Sequence, residues 1–122
     1  MQKIDVSIII VSFNTKDLLR ACLAAVAAGE VIVVDNGSVD GSVEMVKKEF
    51  PGVTLIANSQ NRGFAAANNQ GLKRARGRYM LLLNSDTEVP PGAIGEVTRF
   101  MDEHPDIGVT GAKLMLPNGR MD

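Results

Sequence analysis

Tyr79 to Leu83 form an unbroken apolar run that stops at a short polar turn, Asn84-Ser85-Asp86-Thr87-Glu88. Runs of this kind mark strands buried on both faces of a parallel sheet, where helices cover both sides. A second segment repeats the arrangement: Val31-Ile32-Val33-Val34 leads into Asp35-Asn36-Gly37-Ser38. Open α/β sheets hold ligands outside the carboxyl ends of their strands, so the two runs place Asp35 and Asp86 on one expected rim. Oxygen-rich acidic turns there suit a hard cation and a phosphorylated ligand.

Strand and helix patterns alternate around these two segments. Residues 6–12 read as a strand, and 15–28 as a helix with Leu18, Leu19, Cys22, Leu23 and Val26 at helical spacing, capped by Asn14 or Thr15. Gly29 closes that helix before a strand at 30–34. The spacing then predicts a helix over 39–50 capped by Ser38 or Asp40, a strand over 53–57, an alanine-rich helix over 63–76 and the strand ending at Asn84. Pro90-Pro91-Gly92 opens a helix over 92–103, and 107–110 reads as a fifth strand. Such an order argues for an α/β fold with a mostly parallel sheet, right-handed crossovers and helices on both faces.

The end of the chain departs from that order. Lys113 to Leu116 are strand-like and Pro117-Asn118-Gly119-Arg120 is a strong hairpin turn, yet only Met121 and Asp122 follow. The expectation is a chain truncated at its C-terminus, residues 1–122 being one part of a larger domain.

A chain of 122 residues fits one domain with a continuous core. Its formal net charge of −1 lacks the electrostatic footprint of a nucleic-acid binder. Lys73, Arg74, Arg76 and Arg78 form a local basic cluster that suits either a helix C-terminus or an acidic surface. Cys22 and His104 are each the sole residue of their type, which excludes a disulfide framework and a cysteine or histidine metal site. The apolar run from Val6 to Val11 is too short to span a bilayer and has no signal-peptide pattern, so a cytoplasmic protein is expected.

The chemistry-bearing residues cluster at expected strand ends. Ser12-Phe13-Asn14 close the first strand, with Phe13 either stacking on a flat base or filling core. Asp35-Asn36-Gly37-Ser38 can clamp a nucleoside, since a carboxylate accepts from a base imide or a ribose hydroxyl, or serve as an ordinary turn and helix cap. In Asn61-Arg62-Gly63-Phe64, Gly63 permits close ligand approach at a helix N-terminus and Arg62 can pair with phosphate. Asn68-Asn69-Gln70 put three amides into one helix, of which at least one should turn to the rim. Asp86, with Ser85 and Asn84 beside it, offers few protein ligands, which suits Mg²⁺ or Mn²⁺ shared with phosphate oxygens and water.

Taken together and in order, Val6 to Asn14, Val33 to Ser42, Asn61 to Phe64, Asn69-Gln70-Gly71 and Leu82 to Thr87 resemble glycosyltransferase family 2. The resemblance implies the GT-A fold, a nucleotide-diphosphate sugar donor and a divalent metal. It carries nucleotide binding onto Ser12, Phe13, Asn14, Asp35, Asn36, Asn61, Gly63, Asn69 and Ser85, and the metal onto Asp86. Asn84 and Asn36 stand where the commoner pattern has acids, which resembles the bacterial branch of rhamnosyl- and galactofuranosyltransferases. The implied partners are dTDP-rhamnose, a UDP-sugar or a GDP-sugar, with a glycan or lipid-linked acceptor. The full-length protein is then expected at the inner face of the cytoplasmic membrane as a peripheral protein.

The resemblance also implies inverting transfer in polysaccharide or cell-wall assembly. Its general base lies after Asp122, so this chain alone is expected to be inactive. Two readings compete. A sugar-nucleotide nucleotidyltransferase needs a glycine-rich loop after the first strand, and Ser12-Phe13-Asn14-Thr15 has no glycine. A phospho-receiver module needs an acidic pair at that place, which is also missing.

Overall fold

The computed structural model describes residues 5–26, 29–108 and 110, in two units divided after Pro91. The first unit runs β1 (Val6–Ser12), α1 (Lys16–Ala25), β2 (Glu30–Asp35), α2 (Ser42–Glu49), β3 (Thr54–Ala57), α3 (Phe64–Arg74) and β4 (Tyr79–Asn84). The four strands form one sheet in the order β3-β2-β1-β4, and every neighbouring pair is parallel. The fold is therefore the α/β class expected from the alternating pattern.

Chain direction across the sheet explains where the helices lie. From β1 to β3 the chain moves one way, then returns past β1 to lay down β4 on its far side. Right-handed crossovers put helices on opposite faces for opposite directions of travel. Accordingly α1 and α2 contact each other, while α3 lies over β1 and β2. Ile9, Ile32, Val34 and Ala67 make the buried core beneath α3, with Val11, Ile56, Leu72 and Ala75 around it. Alternation turns Ile8, Ile10 and Val33 to the other face, where α1 contributes buried Leu19, Cys22 and Leu23 and α2 contributes Met45 and Val46. Each fully buried aliphatic side chain is worth roughly 1.5–3 kcal/mol.

The expected helices are trimmed at their ends. The first ends at Ala25 and not at 28, with Val26 as its C-cap. The second starts at Ser42 rather than 39, because Asp40 Oδ1 accepts the Ser42 N–H and leaves Val39 in the loop, 90% exposed. The third stops at Arg74 and not at 76.

Two expectations about strands are corrected. Met80 and Leu82 of β4 are 51% and 49% exposed, so β4 is not buried on both faces within this unit. Leu82 is level with Ile9 and faces the same side, but α3 covers β1 and β2 and leaves that side of the edge strand β4 open. The second unit, described by itself, holds α4 (Ala93–Glu103), with His104 as its C-cap and stacked on Phe100 at 4.2 Å between ring centroids. Beyond it Ile107, Gly108 and Thr110 belong to no strand; the Ile107 N–H bonds back to His104 O at 3.0 Å across the Pro105-Asp106 turn. The rest of the expected fifth strand, Val109, and the strand and hairpin expected at 113–120 lie outside the described residues.

Candidate functional site

Parallel pairing brings the strand ends into line. Ser12 is level with Asp35, Asp35 with Ala57, and Val11 with Asn84. Asp35 and Asp86 thus belong to one carboxyl rim, on strand ends separated by β1. Strand order reverses between β1 and β4, and such reversal points are where ligands enter open α/β sheets because the flanking loops part.

Asp35 is 2% exposed. Its Oδ2 accepts the backbone N–H groups of Ser38 at 2.8 Å and Gly37 at 3.2 Å, while its Oδ1 is buried without a hydrogen-bond partner. Gly37 makes the turn possible: its φ is +86°, and a Cβ there would stand 3.1 Å from the Gln60 backbone. A buried acceptor left unpaired costs roughly 1–3 kcal/mol.

Asn36, next along the chain, ties the rim loops together. It is buried, and its Oδ1 accepts from Arg62 N–H at 3.2 Å and Asn58 Nδ2 at 3.1 Å, while its Nδ2 donates to Gly63 O at 3.2 Å. Both acceptor positions are taken, so the side chain holds the loop before α3, and one Nδ2 hydrogen is left uncommitted among the described residues. Asn58 extends the network through a reciprocal amide pair with Gln70, at 2.8 and 2.9 Å. Gln70 is the amide of the α3 triplet that meets the rim loops; Asn69 is exposed and makes no side-chain hydrogen bond among the described residues. Asn61 Oδ1 accepts the Gly63 N–H at 2.8 Å, and Gly63 precedes α3 with φ +87°.

At the end of β1, Phe13 is 46% exposed, which favours the stacking reading over the core reading. Asn14 adopts φ +53° and is exposed; its Oδ1 accepts the Val39 N–H at 2.9 Å and its own N–H donates to Ser38 Oγ at 2.8 Å. Ser12 and Ser85 are buried, and Thr15 stands between them, 2.9 Å from Ser12 Oγ and 2.8 Å from Ser85 Oγ. Thr15 is the N-cap residue of α1 as expected, yet its hydroxyl caps nothing. Asp40 ties the two helix starts together, accepting from Lys16 N–H as well as from Ser42, and the Ser42 hydroxyl first of all holds its carboxyl below the usual range.

Asp86 is exposed on a turn closed by the Thr87 N–H donating to Asn84 O at 3.1 Å. Burial first, and then the Asp86 carboxylate, push the Cys22 thiol up, which keeps it neutral and unsuited to nucleophilic work. Among the described residues no three His, Cys, Asp or Glu groups gather as a metal site. One exposed carboxylate fits Mg²⁺ or Mn²⁺ if the ligand's phosphates and water complete the shell, since such ions keep several non-protein ligands. Thr15 and Asn58 were not singled out from sequence as rim residues, whereas Gln70 was one of three candidates; for Asn58, its place directly after β3 is the signal that applies.

The profile of Glycosyl transferase family 2 matches residues 7–115. The chain is 36% identical to the succinoglycan biosynthesis protein ExoO of Rhizobium meliloti (strain 1021), over 93% of this chain and 33% of that protein. It is 31% identical to a poly(ribitol-phosphate) beta-glucosyltransferase of Bacillus spizizenii, over 94% of this chain and 20% of that enzyme. The chain therefore spans a third or less of these relatives. Crystal structures of S. aureus TarS, one of them in complex with UDP, superpose on 95% of the chain with a TM-score of 0.72 at 23% identity, covering 43% of TarS residues 1–349. The shared architecture is the GT-A fold.

Proposed function

This chain belongs to glycosyltransferase family 2, and from that premise we propose that it forms the donor-binding part of an inverting enzyme acting on a nucleotide-diphosphate sugar. The observation that carries the proposal is Asp35 Oδ1, a buried acceptor without a partner on the rim. A base imide N–H or a ribose hydroxyl supplies the missing donor. Phe13, half-exposed at the neighbouring strand end, offers an apolar ring to a base, while the first turn of α3 offers N–H groups to phosphate.

Asp86 would hold the divalent metal, with Asn84 beside it, and the metal would neutralise the diphosphate and stabilise it as a leaving group. The rest of the reaction asks for an acceptor hydroxyl opposite the diphosphate and a base to take its proton, supplied by parts beyond this chain. The Asn84-Ser85-Asp86-Thr87 and Asp35-Asn36-Gly37-Ser38 sequences support the rhamnosyl and galactofuranosyl branch, hence dTDP- or UDP-activated donors. Relatives named for succinoglycan and poly(ribitol-phosphate) glucosylation support a cell-surface glycan or lipid-linked acceptor. No helix among the described residues is long and apolar enough to cross a membrane.

Isothermal titration of the chain with UDP, dTDP and GDP, each with Mg²⁺ and with chelator, tests the proposal. Saturable binding of at least one, weakened by chelator, is expected. Failure of all three to bind would remove the donor-site reading.

A further inference from the structure

The hydroxyl chain Ser12–Thr15–Ser85 spans the β1/β4 reversal point and has no task in holding the strands together, since backbone pairing already does that. Thr15 is itself firmly placed: its carbonyl accepts the first helical bond of α1, from Leu19 N–H at 2.7 Å. Ser85 is the residue next to Asp86, and its side chain is buried against Thr15.

We propose that Thr15 is a positioning residue: its hydroxyl fixes Ser85, and through it the Asp86 turn, at the distance from the Asp35 end of the rim that a nucleoside diphosphate requires. The inference rests on the donor-site reading and names a residue and a division of labour that the reading does not contain. Proton counting allows it. Three hydroxyls carry three protons, and the two bonds between them use two. One proton is left over, and with Thr15 donating to Ser85 it sits on Ser85, free to donate to a phosphate oxygen. Without the Thr15 hydroxyl, Ser85 is freed to rotate and the turn loses its tie to β1 and α1.

The test uses the whole chain and four probes, UDP and dTDP with Mg²⁺, and the nucleosides uridine and thymidine, followed by chemical-shift titration. Thr15→Val keeps the shape and removes the hydroxyl; Thr15→Ser keeps the hydroxyl. Thr15→Val should weaken the bound diphosphate about five- to tenfold, the scale of one lost hydrogen bond, and leave nucleoside affinity unchanged. Thr15→Ser should restore diphosphate affinity. Equal weakening of nucleoside and diphosphate by Thr15→Val would show a general loosening of the fold and overturn the proposal. So would Thr15→Ser behaving like Thr15→Val, or Thr15→Val binding diphosphate as the unaltered chain does. An unaltered chain that binds neither diphosphate would instead remove the donor-site reading, and the positioning role with it.

Discussion

Gly71 lies so close to Ile9 that a Cβ on the glycine would stand 2.5 Å from Ile9 Cγ2. Ile9 is fully buried in the middle of β1, so the contact sets how near α3 comes to the sheet. Alanine is the better helix former by about 1 kcal/mol, but the clash with a packed core outweighs that gain. Gly71→Ala should lose about 1–2 kcal/mol net in urea denaturation, through a lower midpoint at unchanged slope. Gly95→Ala in α4, with nothing within 4 Å of its Cβ, should be neutral or gain up to about 1 kcal/mol. A stabilised Gly71→Ala would show that α3 does not pack at this distance.

Asp35→Asn separates binding from folding. One amide oxygen can still accept the Gly37 and Ser38 N–H groups, so the turn survives. The position of Oδ1 then carries an NH₂ group, which faces the ligand's donor with another donor. Nucleoside affinity should fall at least about tenfold, a loss of 1.4 kcal/mol or more, with the melting temperature within a few degrees of the unaltered chain. Unchanged nucleoside binding would place the base elsewhere.

The strands and the rim were legible because each depends on its own local pattern. Apolar runs ending in polar turns specify β1, β2 and β4, and parallel pairing then levels Ser12 with Asp35 and Val11 with Asn84 without further information. The exposure of Met80 and Leu82 was not legible, because burial of the outer face depends on which helix lies above and not on the strand's residues. The loop-holding bonds of Asn36 were not legible for a similar reason. Its neighbours Asn58 and Arg62 reach it only once β3 has brought them to the same rim, and their hydrogen bonds occupy the side chain that an isolated turn would leave free. Thr15 looked like a cap because its place before α1 is a cap position; two hydroxyls converging from β1 and β4 outcompeted the helix N–H.

Acid should unfold the chain partly through Glu30. Burial pulls its pKa up, but hydrogen bonds from the Arg76 N–H, the Ser7 hydroxyl and the Arg76 guanidinium win and hold it below the usual carboxylate range. A group depressed in the folded state stabilises fully above its unfolded pKa, near 4.3, and loses that contribution as pH falls through the folded value. Asp40 acts in the same direction. Melting temperature should therefore be flat from about pH 7 to 5 and decline below about pH 4. Glu30→Gln should be less stable than the unaltered chain at pH 7, and the gap should narrow as pH approaches 3. A gap constant with pH would mean that Glu30 contributes by shape alone.

Asp86 is the last test of how the two ends of the rim divide the ligand. It is exposed and its side chain makes no hydrogen bond among the described residues, so Asp86→Ala should leave stability within about 0.5 kcal/mol of the unaltered chain. If it holds a metal shared with diphosphate, the unaltered chain binds UDP or dTDP more tightly with Mg²⁺ than with chelator. The substitution should remove that difference, a loss of about 1–3 kcal/mol for one charged contact. Nucleoside binding at Asp35 has no diphosphate to lose and should not change. Calorimetry giving equal diphosphate affinity with Mg²⁺, with chelator and in Asp86→Ala would reject the carboxylate as a metal ligand. The Asp35 half of the site would stand, because a base or ribose donor to Oδ1 requires no cation.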